Sequence, residues 1–203
     1  MNYTEFQIII SIIILFSLFF LIFLFKILFW RSHIETPEKR AGRIGERFVS
    51  ELIYETLDDE DRLLTNVHIF ADDKQTELDN LIINSNGVFI IEAKNYHGEI
   101  FGDEEDDEWI KNKITPAGNV YQTTVINPIK QVKRQIHILA TLLRENGIDV
   151  WVEGYVFFVE SNSPIYSEYV LETRSDIDEA IHTASKKKLS VKTQDEIIAI
   201  LQR

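Results

Sequence analysis

Glu92 and Lys94 close the apolar run "FIIEAKN" (89–95), and a second acid, Asp79, ends "TELD" (76–79). Residues two apart on a strand share a face, so Glu92 and Lys94 present a carboxylate and an ammonium together. The intervening "NSNG" (84–87) has the Asn and Gly of a hairpin loop. With that loop, Ile83 faces Val88, Leu81 faces Ile90, Asp79 faces Glu92 and Glu77 faces Lys94, all on one side. Directly opposed Cβ atoms lie only about 4.5–5.5 Å apart, and like charges so placed repel. A divalent cation reverses that sign, because Mg²⁺ takes hard oxygen ligands from one or two carboxylates and keeps waters for exchange. Lys94 would then stabilise a phosphoryl oxygen or orient an attacking water. The competing reading is a Glu77–Lys94 cross-strand ion pair beside two solvated acids. Register decides between them, since a slip of one residue sends Glu92 to the other face.

The surrounding pattern supplies elements able to carry these groups. "AGRIGERFVSELIYETL" (41–57) has a helical stripe at Ile44, Phe48, Val49, Leu52 and Ile53, with Glu46 along its edge. "RLLTNVHIF" (62–70) reads as a strand, as do the two arms of the hairpin, and "GEIF" with "EWIKNK" reads as a further hairpin around an acidic tip. From "NPIKQVKRQIHILATLLRENG" (127–147) the period turns helical, with Ile129, Val132, Ile136, Leu139 and Leu143 on one side. Asn127 suits the cap, Pro128 the first turn and Gly147 the end. "VWVEGYVFFVE" (150–160) reads as a buried strand and "YVLE" as a short one. Two final helices are expected, with capping pairs Ser175/Asp178 and Thr193/Glu196. The order implies an α/β fold with a mixed β-sheet flanked by helices.

The 203 residues include no cysteine, which excludes disulfides, thiolate metal sites and a Cys nucleophile. The net charge of -12 opposes a nucleic-acid partner at long range unless a local patch is basic or metal-filled. Much of the excess lies in "DDEDR" (58–62) and "DEEDDE" (103–108), which read as solvated loops. Lys111, Lys113, Lys130, Lys133 and Arg134 flank the proposed site and are placed to offset the acidic total. His68, His97 and His137 lack metal-ligand spacing and read as ordinary histidines. The run "KKK" (186–188) reads as solvated.

Residues 6–30, "FQIIISIIILFSLFFLIFLFKILFW", have the composition of one transmembrane helix preceding the α/β domain. Over 8–25 the only polar side chains are Ser11 and Ser17, and that length reaches roughly 27 Å as a helix. Lys26 can snorkel and Trp30 suits the interface. A cleaved leader would need basic residues in "MNYTE", a shorter apolar run and a small-residue cleavage site. Arg31, Lys39, Arg40, Arg43 and Arg47 follow the span, so the expected topology is single-pass in the cell membrane, N-terminus outside and soluble domain cytoplasmic. The expected organisation is an anchor at 1–30, a linker at 31–40 and a soluble domain at 41–203.

Four segments in order, "GRIGE" (42–46), "TELD", "GVFIIEAKN" (87–95) and "NPIKQ" (127–131), resemble the nuclease-related domain (NERD) family of the PD-(D/E)xK nuclease superfamily, over about 42–155. The resemblance implies a restriction-endonuclease-like core with its site where central strands diverge. It implies Glu46 as the first-helix acid, Asp79 as the metal-binding aspartate, Glu92 and Lys94 as the E-x-K pair, and Gln131 as the glutamine of the next helix. It also implies a Mg²⁺ or Mn²⁺ ion on Asp79, Glu92 and the Ala93 backbone carbonyl, with Glu46 a candidate ligand to a second ion or its water. The expected activity is metal-dependent hydrolysis of phosphodiester bonds in nucleic acid, in DNA first. The alternative, favoured by the acidic charge, is a non-catalytic module that keeps the fold and tethers nucleic acid or a protein partner at the membrane.

Overall fold

The computed structural model describes residues 3–32, 35–114, 118, 120–183 and 188–202, and within the first helix its described side chains run unbroken over 12–26. The chain divides into two compact units, Met1–Arg40 and Ala41–Arg203. The first holds α1 (Tyr3–Ser32), whose apolar side chains from Ile12 to Phe25 are largely exposed. Among the described residues no helix is long and apolar enough to cross a membrane. Helix α2 (Pro37–Tyr54) begins inside the stretch expected as linker. Pro37 fits the first turn because its missing N–H has no intrahelical partner there, and Thr36 Oγ1 accepts from the Lys39 N–H at 3.3 Å.

In the second unit a five-stranded mixed sheet runs β1 (Arg62–Ala71), β2 (Lys74–Ile83), β3 (Val88–Lys94), β7 (Val152–Phe158) and β8 (Val170–Leu171), in that spatial order. The β1–β2 and β2–β3 pairs are antiparallel, and β3–β7 and β7–β8 are parallel. Alternation along the strands feeds two cores. Leu81, Ile83, Val88 and Ile90 pack with Ile138, Leu139 and Leu143 of α3 (Pro128–Glu145). Ile82, Phe89, Ile91 and Ala93 pack with Val49 and Ile53 of α2 and with Ile177 and Ile181 of α4 (Arg174–His182). Because β3 is covered on both faces, its sequence is a continuous apolar run, as central strands of such sheets are.

A second sheet, β4 (Glu99–Phe101), β5 (Glu108–Ile114) and β6 (Val120–Ile126), is an antiparallel meander. The first hairpin was expected; β6 was not, because nearly every side chain in "VYQTTVI" is exposed and no apolar alternation marks it. Asn127 caps α3 by accepting from the Ile129 N–H at 2.9 Å. The caps expected for the last helices are displaced. Thr173 caps α4 in a reciprocal box with Asp176, and Ser190 caps α5 (Val191–Leu201). Ser175 and Asp178 lie inside α4 instead, and Thr193 donates its N–H to Ser190 Oγ. Of the run 186–188, residues 186 and 187 lie outside the described residues, and Lys188 donates to Asn86 Oδ1.

Candidate active site

The site is built where two strands part. Pairing of β2 with β3 follows the expected register, Ile83 with Val88 and Leu81 with Ile90, and stops at Asn80 with Ile91. Beyond that point β2 continues on β1, and β3 continues on β7 as far as Lys94 with Phe158. Buried backbone groups left by the parting need partners. The Ala93 N–H donates to Asp79 Oδ2 at 2.9 Å, so an aspartate side chain takes the place of a ladder carbonyl. Asn80 Nδ2 donates to the Ile91 carbonyl at 3.1 Å. The Lys94 carbonyl accepts from Val159 on the β7 side. Alternate strand residues turn their backbone groups to opposite edges, so Ala93 C=O faces the opening together with its N–H.

Glu92 is buried, 3% exposed, and wrapped by donors. Lys94 Nζ donates to its Oε1 at 2.7 Å, and Gln131 Nε2 donates to the same oxygen. Lys94 also donates to Gln131 Oε1 at 3.0 Å. Gln135 Nε2 donates to Glu92 Oε2 at 2.7 Å. Burial pulls the Lys94 ammonium down, but Glu92 and its neighbours outweigh this and hold its pKa above the ordinary lysine value. Burial, with the Glu92 charge second, pushes Asp79 up to about 7, against the Ala93 hydrogen bond and the Lys94 charge. Glu46 is half-buried on α2, and its carboxyl is raised by burial and then by Glu77 and Glu92. Glu92, Lys94 and Gln131 thus form one hydrogen-bonded group, Asp79 holds the Ala93 N–H between Glu92 and Lys94, and Asp79 and Glu46 both feel the charges of that group.

Gly45 explains how α2 comes so close. A Cβ there would lie 2.5 Å from Asn95 Cβ, just past the end of β3. Asn95 is itself tied to α2 through a 2.8 Å bond from Nδ2 to the Ala41 carbonyl. Gly45→Ala should therefore cost about 1–3 kcal/mol by overpacking and withdraw Glu46 from the cluster. Thermal unfolding checks this; an unchanged midpoint would show that α2 can shift freely.

The flanking cations are less available than the sequence implied. Lys130 pairs with Asp107 and Lys133 with Glu104, both at 2.7 Å. Lys111 lies over the Tyr96 ring, and Arg134 donates to the Gln75 carbonyl. The acidic loop 103–108 is held rather than merely solvated: Asn127 Nδ2 donates to the carbonyls of Asp103, Glu104 and Asp106.

The Asp79 and Glu92 carboxylates and the Ala93 carbonyl would offer a metal ion hard oxygen donors, which suits Mg²⁺ or Mn²⁺. Burial lifts Asp79 first and the Glu92 charge second, and a cation relieves that second contribution. Glu46, Asp79 and Glu92 are not drawn into one tight triad. Among the described residues the group of three whose ligand atoms lie that close is Asp58, Asp61 and His182. There His182 hydrogen-bonds Asp61 at 2.9 Å and Asp178 at 2.8 Å. Burial lowers its pKa, but the hydrogen bonds to Asp61 and Asp178 and the charges of Asp61 and Asp58 outweigh it and raise it. Sequence reading missed it because His182 comes from α4, far along the chain from Asp58 and Asp61.

The nuclease-related domain model matches residues 41–159, more than half of the chain and all of the site just described. The chain belongs to the nuclease-related domain family. An uncharacterized protein of Bacillus anthracis is 28% identical to this NERD chain over 108 residues, 53% of this chain and 49% of that protein. The chain thus spans about half the length of the curated relative it matches. No solved structure matches it. The NERD match points to a nuclease-related function. Sequence reading overlooked Gln135, one helical turn beyond Gln131 on the same face, although the glutamine repeat in "QVKRQ" was visible.

Proposed function

We propose that this NERD protein is a metal-dependent nuclease that hydrolyses phosphodiester bonds, with DNA as the first substrate class to test, and that residues 6–30 anchor it in a membrane. The carrying observation is Asp79 on the Ala93 N–H and Lys94 on the buried Glu92 carboxylate where β2 leaves β3, with burial and then the Glu92 charge lifting the Asp79 carboxyl to about 7. Asp79, Glu92 and the Ala93 carbonyl would hold Mg²⁺ or Mn²⁺, and Glu46 is the candidate for a second ion. When bound, the ion supplies charge neutralisation at the phosphate and an acidified water. Lys94, oriented by Gln131 and Glu92, places a half-buried ammonium where negative charge on a phosphoryl oxygen would develop.

The anchor rests on the sequence of 8–25, where Ser11 and Ser17 are the only polar side chains. The basic residues after it favour a single-pass topology with the N-terminus outside and the domain cytoplasmic. The test is cleavage by the full chain in detergent micelles: Mg²⁺ or Mn²⁺ should turn on hydrolysis of DNA, and chelator should stop it. A folded chain inert on single- and double-stranded DNA and on RNA would overturn the reading.

One observation favours a second reading, a non-catalytic tether. Lys130 and Lys133, the cations best placed for a phosphate backbone, are occupied by Asp107 and Glu104. Calorimetry separates the two, since the tether requires no Mg²⁺ or Mn²⁺ binding.

A further inference from the structure

Gln135 lies on α3 at 1% exposure, more deeply buried than Lys94 or Asp79. Its two amide hydrogens go to different strands: Nε2 donates to the Glu77 carbonyl of β2 at 2.9 Å and to Glu92 Oε2 of β3 at 2.7 Å. Glu77 lies beyond the last β2–β3 pair, so its carbonyl has no ladder partner on β3. One side chain therefore spans the parted strands. It also settles Glu92, because Oε1 is taken by Lys94 and Gln131 while Oε2 is taken, among the described residues, by Gln135. The Gln135 Oε1 atom is buried and has no hydrogen-bond partner among the described residues. An amide that leaves its own acceptor unsatisfied is held by what its donors achieve, since such burial costs roughly 1–3 kcal/mol.

We infer that Gln135 is a positioning residue: by bridging the Glu77 carbonyl and Glu92 Oε2 across the strand opening, it fixes the Glu92 carboxylate in the orientation that receives a divalent cation. This rests on the metal-dependent reading of the site. Ordinary packing does not require it, because a methionine has nearly the same length and volume as a glutamine. The N–H directed at Oε2 limits which Glu92 lone pairs stay free, as hydrogen bonds behind metal-ligating carboxylates do.

The test uses the full chain in detergent micelles and Mn²⁺ as the probe. Gln135→Met should weaken Mn²⁺ binding by about 10- to 100-fold and lower kcat in proportion, with KM for DNA little changed. A folded Gln135→Met chain that binds Mn²⁺ within twofold of the wild type would overturn the inference. A second measurement needs neither metal nor activity. In the wild type, one Gln135 side-chain amide proton should resonate downfield and exchange slowly, as expected for a short bond to a carboxylate. Glu92→Gln should move it toward an ordinary amide position. If the proton is unshifted in the wild type, or unaffected by Glu92→Gln, the bridge does not exist and the proposal fails. Because that readout is independent of cleavage, an inert wild-type chain would defeat the nuclease reading while leaving the Gln135–Glu92 bridge separately decided.

Discussion

Replacing Lys94 with methionine should abolish DNA cleavage and at the same time tighten Mn²⁺ binding. The two effects have one origin. The ammonium sits 2.7 Å from Glu92 Oε1, is 15% exposed, and is one of the charges holding the Asp79 carboxyl down. It therefore occupies, electrostatically, the position a divalent cation wants. Removing a positive charge from a partly dry site near two carboxylates should favour cation binding by on the order of tenfold. Methionine keeps most of the buried stem, so the fold survives. Cleavage should nevertheless fall by roughly 10²–10³-fold or more, the usual loss when a group stabilising developing charge is deleted. Single-turnover cleavage and Mn²⁺ titration of the same preparation check both halves. Lost activity with weakened Mn²⁺ binding would mean that Lys94 supports the carboxylates instead of competing for them.

That opposition between lysine and cation was half legible in the sequence. Spacing alone placed Glu92 and Lys94 on one face, and the "NSNG" loop fixed the register that aligns Leu81 with Ile90. Extending the same register placed Asp79 opposite Glu92 as a regular cross-strand pair. The sheet instead opens one step earlier, and Asp79 turns to the Ala93 amide. Strand divergence has no periodic signature, because it depends on β1 and β7 pulling the two strands apart from outside. The same reason hid Gln135, whose role exists only once the Glu77 carbonyl loses its ladder partner. Helix α3 was readable to its cap because Asn127, Pro128 and the apolar stripe are local signals, whereas β6 owes its existence to pairing with β5 and carries almost no buried side chain. The occupied state of Lys130 and Lys133 was equally out of reach, since their partners lie on a loop more than twenty residues away.

Asp79→Asn should make the metal-free protein more stable at pH 8 while destroying its activity. In the unfolded chain an aspartate ionises near pH 4. In the folded domain burial and Glu92 hold the Asp79 proton until about pH 7. Between those values the folded state binds more protons than the unfolded state, so stability falls as pH rises and the full penalty is present above about 7. A shift of that size corresponds to at most about 4 kcal/mol, and solvent at the mouth of the opening reduces it to on the order of 1–3 kcal/mol. Asparagine removes the charge and keeps an oxygen to accept the Ala93 N–H. The variant should therefore melt roughly 2–10 °C higher at pH 8, with the gap closing toward pH 4, where both side chains are neutral. Mn²⁺ should restore the difference from the other side: it raises the wild-type midpoint at pH 8 by preferential binding to the folded state, and it leaves Asp79→Asn nearly unmoved. Melting curves across pH 4–8, with and without Mn²⁺, test the argument. A variant less stable than the wild type at pH 8 would show that the carboxylate is already compensated by the protein, and the case for a cation at this opening would lose its electrostatic basis.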